Sequence, residues 1–182
     1  MRAPSIVAET ERLRLRRFDA DDAAFFFELV NDPSWIRFIG KRDVKSLDAA
    51  RLYLENGPIR MVERLGFGLN LVERNDTGEA LGMCGLIKRD TLADVDIGFA
   101  FLPRHWGRGY ALEAARATVE HGRSVLGIGR IVAILTHDNA RSANLLGKLS
   151  FRSEGTVKMP PDGEELLLYA SDARGDDDPV AR

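Results

Sequence analysis

The feature that most constrains the fold is a glycine-containing turn between a strand-like and a helix-like segment. The apolar run VDIGFAFL (residues 95–102) is typical of a strand, and Pro103 ends it. The turn RHWGRG (residues 104–109) follows, and YALEAARATVE (residues 110–120) then has the composition of a helix. A strand that leads through a turn into a helix requires both element types, so we expect a mixed α/β domain of the α+β class.

Length and composition indicate one globular domain. The 182 residues are 45% hydrophobic and 30% charged, which provides enough apolar sequence for a sizeable core. We assign residues 8–171 to this domain. Residues 172–182 form an acidic, polar tail with nothing to bury, and we expect this tail to be disordered.

Charge and cysteine content exclude several classes of function. The chain has 26 basic and 28 acidic residues, so no overall field favours nucleic acid or an anionic membrane. Cys84 is the only cysteine and cannot form an internal disulfide, and the first residues lack a secretory leader, so we expect a cytoplasmic protein. The most apolar early segment, AAFFFELV, contains Glu28 and is far shorter than the roughly 20 apolar residues of a membrane span.

The order of predicted elements is mixed along the whole chain. Alternation in RLRLRRF (residues 12–18) predicts the first strand, and acidic residues after it predict a helix that Pro33 ends. A second helix is expected from Ser46, with an interruption at Gly57 and Pro58. The remaining predicted elements are strands at 67–73, 80–87, 95–102 and 130–135, helices at 110–124 and from Asn139, and closing strands near 153–157 and 166–170.

The turn has the residues of a phosphate-binding site. A helix N-terminus offers unpaired N–H groups and the positive end of the helix dipole, and Gly107 and Gly109 let an anion approach the backbone. Arg104 and Arg108 add positive charge, so the turn predicts a cradle for a diphosphate. A strand-to-helix turn that needs glycine only for its backbone angles is the simpler alternative, and this segment alone does not separate the two.

Two separated motifs resemble the GNAT superfamily of acyl-CoA-dependent N-acyltransferases. The first is DIGFAFLPRHWGRGYALEA, with R-x-x-G-x-G at Arg104, Gly107 and Gly109, and the second is GIGRIVAILTHDNARSANLLGKLSF. TERLRLR (residues 10–16) and the closing DGEELLLYA also fit, so the likeness covers most of the chain. It is closest to the ribosomal-protein serine/alanine N-acetyltransferase branch.

The resemblance implies a fold and a cosubstrate. The fold is a GNAT-like central, mostly antiparallel sheet, flanked by helices and splayed open between the strands at 95–102 and 130–135. The cosubstrate is acetyl-CoA, whose pantetheine arm would pair with free backbone groups in the manner of an added strand, while the turn would hold its pyrophosphate. The residues expected to bind acetyl-CoA are Phe99, Ala100, Phe101, Leu102, Arg104, Trp106, Gly107, Arg108, Gly109, Tyr110, Ala111, Asn139 and Ser142.

Acetyl transfer to an amine requires a neutral nucleophile, and the resemblance suggests which residue removes the proton. Asp96 matches the acidic position that many relatives place near the acceptor amine, so it is the predicted base. A solvated acid at a strand end is the alternative interpretation of Asp96. A backbone N–H near Phe99 or Ala100 is expected to polarise the thioester carbonyl.

The group that protonates the leaving thiolate departs from the superfamily pattern. Many members have a tyrosine in the helix after the second motif, and this chain has Leu146 at that position. Ser142 is the predicted substitute, with water or Tyr110 as alternatives. Asn139 and Ser142 also match positions that contact the cofactor arm or cap the helix.

Other candidates for chemistry are weaker. Cys84 lies between apolar residues in LGMCGL, the setting of an inert buried thiol, which argues against an acetylated cysteine intermediate. His105, His121 and His137 have no local ligand spacing and no second cysteine accompanies them, so no metal site is predicted. Trp35 lies where relatives shape the acceptor pocket, although a core aromatic accounts for it equally well.

The acceptor is the least constrained part of the prediction. The resemblance implies direct transfer, in a ternary complex, to a protein N-terminal α-amine. A small-molecule amine, including an antibiotic, is the first alternative, because a pocket can change while the fold and the cofactor site persist. A non-catalytic CoA-binding module, motivated by Leu146, and a nucleotide-phosphate binder, which lacks G-K-[ST], are the others. Exposed sheet edges in this fold are compatible with a homodimer.

Overall fold

The computed structural model describes residues 5–160 and 163–172, which form a single eight-stranded sheet with helices on both faces. The strand order is β1-β2-β3-β4-β5-β6-β8-β7, and within the described residues every pairing is antiparallel except that of β5 with β6. The strands are β1 (Ile6–Glu9), β2 (Leu13–Arg17), β3 (Leu69–Arg74), β4 (Ala80–Ile87), β5 (Val95–Phe101), β6 (Arg130–Leu135), β7 (Arg152–Met159) and β8 (Glu164–Asp172). The predicted mixed fold and antiparallel sheet are confirmed.

Strands at the two ends of the chain differ from the sequence prediction. The short β1 was not predicted, because Ile6, Val7 and Ala8 are successive apolar residues without period-2 alternation. Asp172, which we assigned to the tail, is the last residue of β8 and pairs with Arg130. Residues 173–182 of the predicted tail lie outside the described residues.

Within the ranges that the structure describes, six α-helices connect the strands. They are α1 (Ala23–Asn31), α2 (Pro33–Phe38), α3 (Leu47–Leu54), α4 (Arg60–Leu65), α5 (Tyr110–Ser124) and α6 (Ala140–Lys148). A capping box between Asp19 and Asp22 starts the turn that leads into α1, as the acidic residues predicted. In the described ranges, no helix has the length and apolar character needed to cross a bilayer.

Proline has different effects from those predicted at two places. Pro33 follows the end of α1 but also occupies the first turn of α2, where its missing N–H is not needed, and the Asp32 carboxylate accepts a hydrogen bond from Ser34 N at 2.8 Å. Gly57 and Pro58 do not interrupt the second helix. They lie in a wide π-helical turn over Glu55–Ile59 that continues α3 into α4.

Among the described residues, the sheet separates two large hydrophobic cores, and a third, smaller cluster surrounds Val132. On one face, Phe26 of α1 packs in a cluster with Leu71 and Met83. On the other face, residues of α5 and α6 pack with Val72 and Ile97. Successive strand residues point to opposite faces, so each central strand contributes to both cores.

The sheet opens between β5 and β6, as predicted. Val95 lies opposite Ile131 and Asp96 opposite Val132, and in the described part of the chain the two strands share no further pair. Leu102 N donates to Leu81 O of the β4 side at 3.1 Å, so by alternation the N–H and C=O of Phe99 face the open side. The splay therefore leaves a stretch of β5 with unpaired backbone groups.

Candidate functional site

A cavity of about 670 Å³ lies along the open side of β5. Phe99, Ala100 and Phe101 of β5 line it, as expected for a site at the splayed strand. Residues of α1 and α2 form one wall, whereas the start of α5 and one side of α6 form the other. Because these helices belong to opposite faces of the sheet, the cavity runs through the gap, and two ligands can reach β5 from opposite faces.

The glycine turn at the start of α5 has the conformation and the space that an anion needs. Gly107 and Gly109 have φ angles of 74° and 81°, in the left-handed region that favours glycine. A Cβ on Gly107 would meet nothing within 4 Å, and both glycines line the cavity. Gly109 is the N-cap residue of α5, so the free N–H groups of the first turn point toward this space.

Arg12, which immediately precedes β2 and was not predicted from the sequence, holds this turn in place. Arg12 Nη1 donates to Arg108 O at 3.0 Å, and the Arg12 guanidinium lies 4.8 Å from the centre of the Tyr110 ring. Glu113 accepts hydrogen bonds from Arg12 Nε at 2.7 Å and from Thr10 Oγ1 at 2.6 Å. The segments TERLRLR and GYALEA are therefore in direct contact, and their joint presence in the sequence was the available signal.

The positive charge at the cavity comes from other residues than predicted. Arg104 forms an ion pair with Glu28 of α1, and neither Arg104 nor Arg108 lines the cavity. Arg141 and Lys148 of α6 line it instead. The Arg141 guanidinium lies 4.6 Å from the centre of the Trp106 ring, a cation–π contact that orients both side chains.

Trp106, which was predicted to bind acetyl-CoA, lines the cavity, but its indole N–H already donates a hydrogen bond within the protein. Its Nε1 donates to Phe101 O at 2.8 Å, which occupies one carbonyl on the open edge of β5. Tyr110 and Ala111 also line the cavity, as expected. Leu102 does not, since it is 1% exposed and belongs to the core with α1, with its N–H bonded to β4.

Asn139 and Ser142 lie together at the start of α6. The Asn139 side chain caps the helix by accepting a hydrogen bond from Ser142 N at 3.1 Å, and both residues line the cavity. Leu146, at the position of the tyrosine in many relatives, is 1% exposed and packs in the core. Leu145 is the neighbouring side chain that reaches the cavity.

The structure does not bring Asp96 to the cavity. Asp96 is 1% exposed, and its carboxylate accepts hydrogen bonds from Arg89 Nε at 3.0 and 3.2 Å. Burial raises the pKa of Asp96, and the positive charge of Arg89 opposes this rise. The nearby Asp94 forms an ion pair with Arg130. Neither carboxylate lines the cavity.

The remaining candidates for chemistry are buried or outside the cavity. Cys84 is fully buried beside Thr118, and burial raises its pKa to about 12, which agrees with the predicted inert thiol. His105 lines the cavity, and burial lowers its pKa, which favours the neutral ring. Within residues 5–160 and 163–172, no group of three or more His, Cys, Asp or Glu side chains could hold a metal ion.

The wall from α1 and α2 is mainly apolar. Leu29, Trp35, Phe38 and Ile39 line the cavity there, with Ser34 as the polar member. Trp35 is 5% exposed and packs against Phe26 of the core, so both interpretations of Trp35 apply at once. One edge of its ring belongs to the core and another borders the cavity.

Comparison with known proteins identifies the family. The model of the acetyltransferase (GNAT) domain matches residues 12–152. The uncharacterized N-acetyltransferase YoaA of Bacillus subtilis (strain 168) is 32% identical over 156 residues, covering 84% of this chain and 86% of its own. Two solved structures are similar over most of their length. A putative GNAT-family acetyltransferase from Bordetella pertussis has a TM-score of 0.75 at 25% identity, covering 91% of this chain and 98% of its own.

The second solved structure contains coenzyme A, the product that acetyl-CoA leaves after acetyl transfer. It is RimL, a ribosomal L7/L12 α-N-protein acetyltransferase in complex with coenzyme A, with a TM-score of 0.77 at 20% identity, covering 93% of this chain and 98% of its own. The splayed sheet and the open glycine turn of this chain fit such a cosubstrate. The chain therefore belongs to the GNAT acetyltransferase family and is an acetyl-CoA-dependent N-acetyltransferase.

Proposed function

We propose that this enzyme acetylates an α-amine, most simply a protein or peptide N-terminus, by direct attack in a ternary complex. The observation that carries the proposal is the cavity that passes through the sheet beside β5. Acetyl-CoA bound along the α5 and α6 wall leaves the α1 and α2 wall free for the acceptor. Both substrates then meet at the backbone of Phe99 and Ala100, which agrees with a single transfer step.

Acetyl-CoA would be held by backbone groups and by the cations of α6. The N–H groups of the turn at Gly107 and Gly109 would bind the pyrophosphate, with Arg141 and Lys148 supplying positive charge. The N–H and C=O of Phe99 face the open side and would pair with the pantetheine amides. When bound, acetyl-CoA supplies the activated acetyl group.

The loss of the amine proton favours an α-amine over a lysine side chain. In the described part of the chain no Asp or Glu lines the cavity to remove the amine proton, so an amine that is already neutral in solution has the advantage. With ordinary pKa values of about 8 for an α-amine and about 10.4 for lysine, roughly a quarter of the first and about one in a thousand of the second is neutral at pH 7.5. The apolar wall of α1 and α2 would lower the pKa of either amine further, because burial disfavours the charged form.

Two residues carry the remaining predictions about the chemistry. Ser142 lines the cavity at the start of α6, and we propose that its hydroxyl donates to the leaving thiolate. Asp96 stays a prediction as base. Its carboxylate would have to act through intervening groups or exchange its Arg89 partner, and turnover of Asp96→Asn at several pH values tests this.

The deciding experiment compares matched peptides. Thiol release from acetyl-CoA is measured with a peptide that has a free N-terminus and one lysine, and with the same peptide blocked by Nα-acetylation. We expect release with the free peptide and almost none with the blocked one. Release of the same rate from both would show that lysine is the acceptor and would contradict the proposal.

A small amine is the second candidate acceptor, because the cavity has a defined volume of about 670 Å³. Faster release with small α-amino amides than with any peptide would favour it. If acetyl-CoA binds but neither the peptides nor the small amides cause thiol release, a non-catalytic CoA-binding module would be favoured instead.

A further inference from the structure

We propose that the α1 and α2 wall of the cavity selects an acceptor whose amine is carried beside an uncharged, apolar side chain, and that it rejects polycationic amines. This inference rests on the proposed function and specifies its substrate class. The wall residues Leu29, Ser34, Trp35, Phe38 and Ile39 are called the acceptor wall below.

The most apolar part of the acceptor wall is held in position by packing against neighbouring residues of the core. Leu29 and Trp35 are 1% and 5% exposed, and Trp35 packs edge-on against Phe26 with ring centres 6.4 Å apart. Phe26 is in turn stacked on Tyr53 of α3 at 5.1 Å. Ile39 is 39% exposed and forms the outer part of the wall. An apolar group placed there is removed from water against side chains that are already held by packing.

The lining of the cavity offers little to balance a second positive charge on the acceptor. Of the ionisable residues that line it in the described part of the chain, Arg141 and Lys148 are cationic, and none is a carboxylate. The acidic side chains nearest the acceptor wall and the start of α6 already have partners in the protein. These pairs are Glu28 with Arg104, Asp32 with Ser34, and Asp138 with Arg37.

A polycationic acceptor would therefore lose hydration without a carboxylate to replace it. A spermidine or an aminoglycoside carries further ammonium groups, each of which is costly to move from water toward an apolar surface. An α-amine beside a leucine-like or aromatic side chain has no such cost, and it gains from apolar contact with Trp35, Phe38 and Ile39. The antibiotic alternative is consequently disfavoured where the antibiotic is a polyamine.

The test uses α-amino amides that share one amine and differ in the side chain. Leucinamide, phenylalaninamide, glycinamide and lysinamide, together with spermidine, are compared for thiol release from acetyl-CoA. In parallel, their binding to the CoA-saturated protein is measured by calorimetry. We expect leucinamide and phenylalaninamide to exceed glycinamide and lysinamide roughly 10- to 100-fold in kcat/KM and in affinity, as burial of one such side chain predicts.

A pair of variants shows whether the acceptor wall causes the preference. Ile39→Glu places a carboxylate on the wall, and Leu52→Glu makes the same kind of change at an exposed residue of α3 that does not line the cavity. We expect Ile39→Glu to lower kcat/KM for leucinamide about tenfold and to raise it for lysinamide, since the new charge offers the missing partner. Leu52→Glu should change neither.

The outcomes separate this inference from the proposed function. Preference for lysinamide or spermidine, equal binding of all amides, or no binding of any would overturn the inference and leave acetyl transfer in place if thiol release continues. Selective binding of the apolar amides without any thiol release would support the inference and overturn the proposed function. An unchanged preference in Ile39→Glu would remove the acceptor wall as its cause.

Discussion

Replacement of Gly107 by alanine tests the phosphate cradle most directly. Gly107 has a φ of 74°, and a side chain there costs about 1–2 kcal/mol because the left-handed conformation brings Cβ close to the backbone. A Cβ would meet no protein atom within 4 Å, so it would project into the space that the pyrophosphate is expected to fill. Loss of one hydrogen bond to a charged group costs about 1.5–3 kcal/mol, or roughly 10- to 150-fold in affinity for acetyl-CoA.

The control for this change is Gly127→Ala. Gly127 has a φ of 68°, a Cβ there would also meet nothing within 4 Å, and it does not line the cavity. Both variants should therefore lose about the same stability, a decrease in Tm of roughly 2–8 °C for a chain of this length.

The assay is calorimetric titration with acetyl-CoA and with acetyl-pantetheine, which lacks the pyrophosphate. Only Gly107→Ala should bind acetyl-CoA more weakly, and acetyl-pantetheine should bind both variants alike. If the affinity of Gly107→Ala for acetyl-CoA is within twofold of that of the unmodified protein, the glycine is needed only for the backbone conformation of the turn. The phosphate cradle would then be refuted.

Three further predictions concern single side chains. The Cys84 thiol should resist a thiol reagent until the protein is unfolded, and Cys84→Ala should retain turnover; rapid labelling of the native protein would contradict this. Burial alone would raise the pKa of Glu113, but hydrogen bonds from Thr10 and Arg12 bring this pKa below its usual value of 4.5. Glu113 therefore stabilises the fold above pH 4.5, and this stabilisation is lost as the pH falls through the pKa of the folded state. The unfolding free energy of Glu113→Gln, measured with urea, should therefore lie about 1–3 kcal/mol below that of the unmodified protein at pH 7, and a difference that does not shrink below pH 4.5 would exclude this origin. Ser142→Ala should lower kcat about tenfold or more with little change in acetyl-CoA affinity, whereas equal turnover would assign the proton to water or another group.

Local patterns in the sequence predicted the elements around the cavity well. The alternation in β2, the apolar run of β5 and the glycines before α5 each depend on neighbours within a few residues, and a reader of the sequence sees all of them. The helix across Gly57 and Pro58 was mispredicted, because the π-helical turn that tolerates this proline depends on packing rather than on local preference.

Side-chain partners were harder to predict than backbone elements. Arg104 belongs to the R-x-x-G-x-G motif, but its guanidinium pairs with Glu28, a residue far away in the chain. Asp96 likewise pairs with Arg89 instead of reaching the cavity. Whether a charged side chain is free or paired depends on contacts that form only in the folded protein. A single sequence does not show these contacts directly. Arg12 was missed for the same reason.

The hydrogen bond from Trp106 to Phe101 also affects how much of β5 is free to pair with another strand. An open strand edge inside a splayed sheet can template the addition of a foreign strand, as edge strands in many proteins do. Trp106 occupies the carbonyl of Phe101, so the exposed part of β5 is too short to nucleate an extended ladder. The indole thereby limits the free part of β5 to a length that can pair with only a short extended ligand. A variant without the Trp106 indole would have a longer free strand edge on β5. We expect such a variant to aggregate at a lower protein concentration.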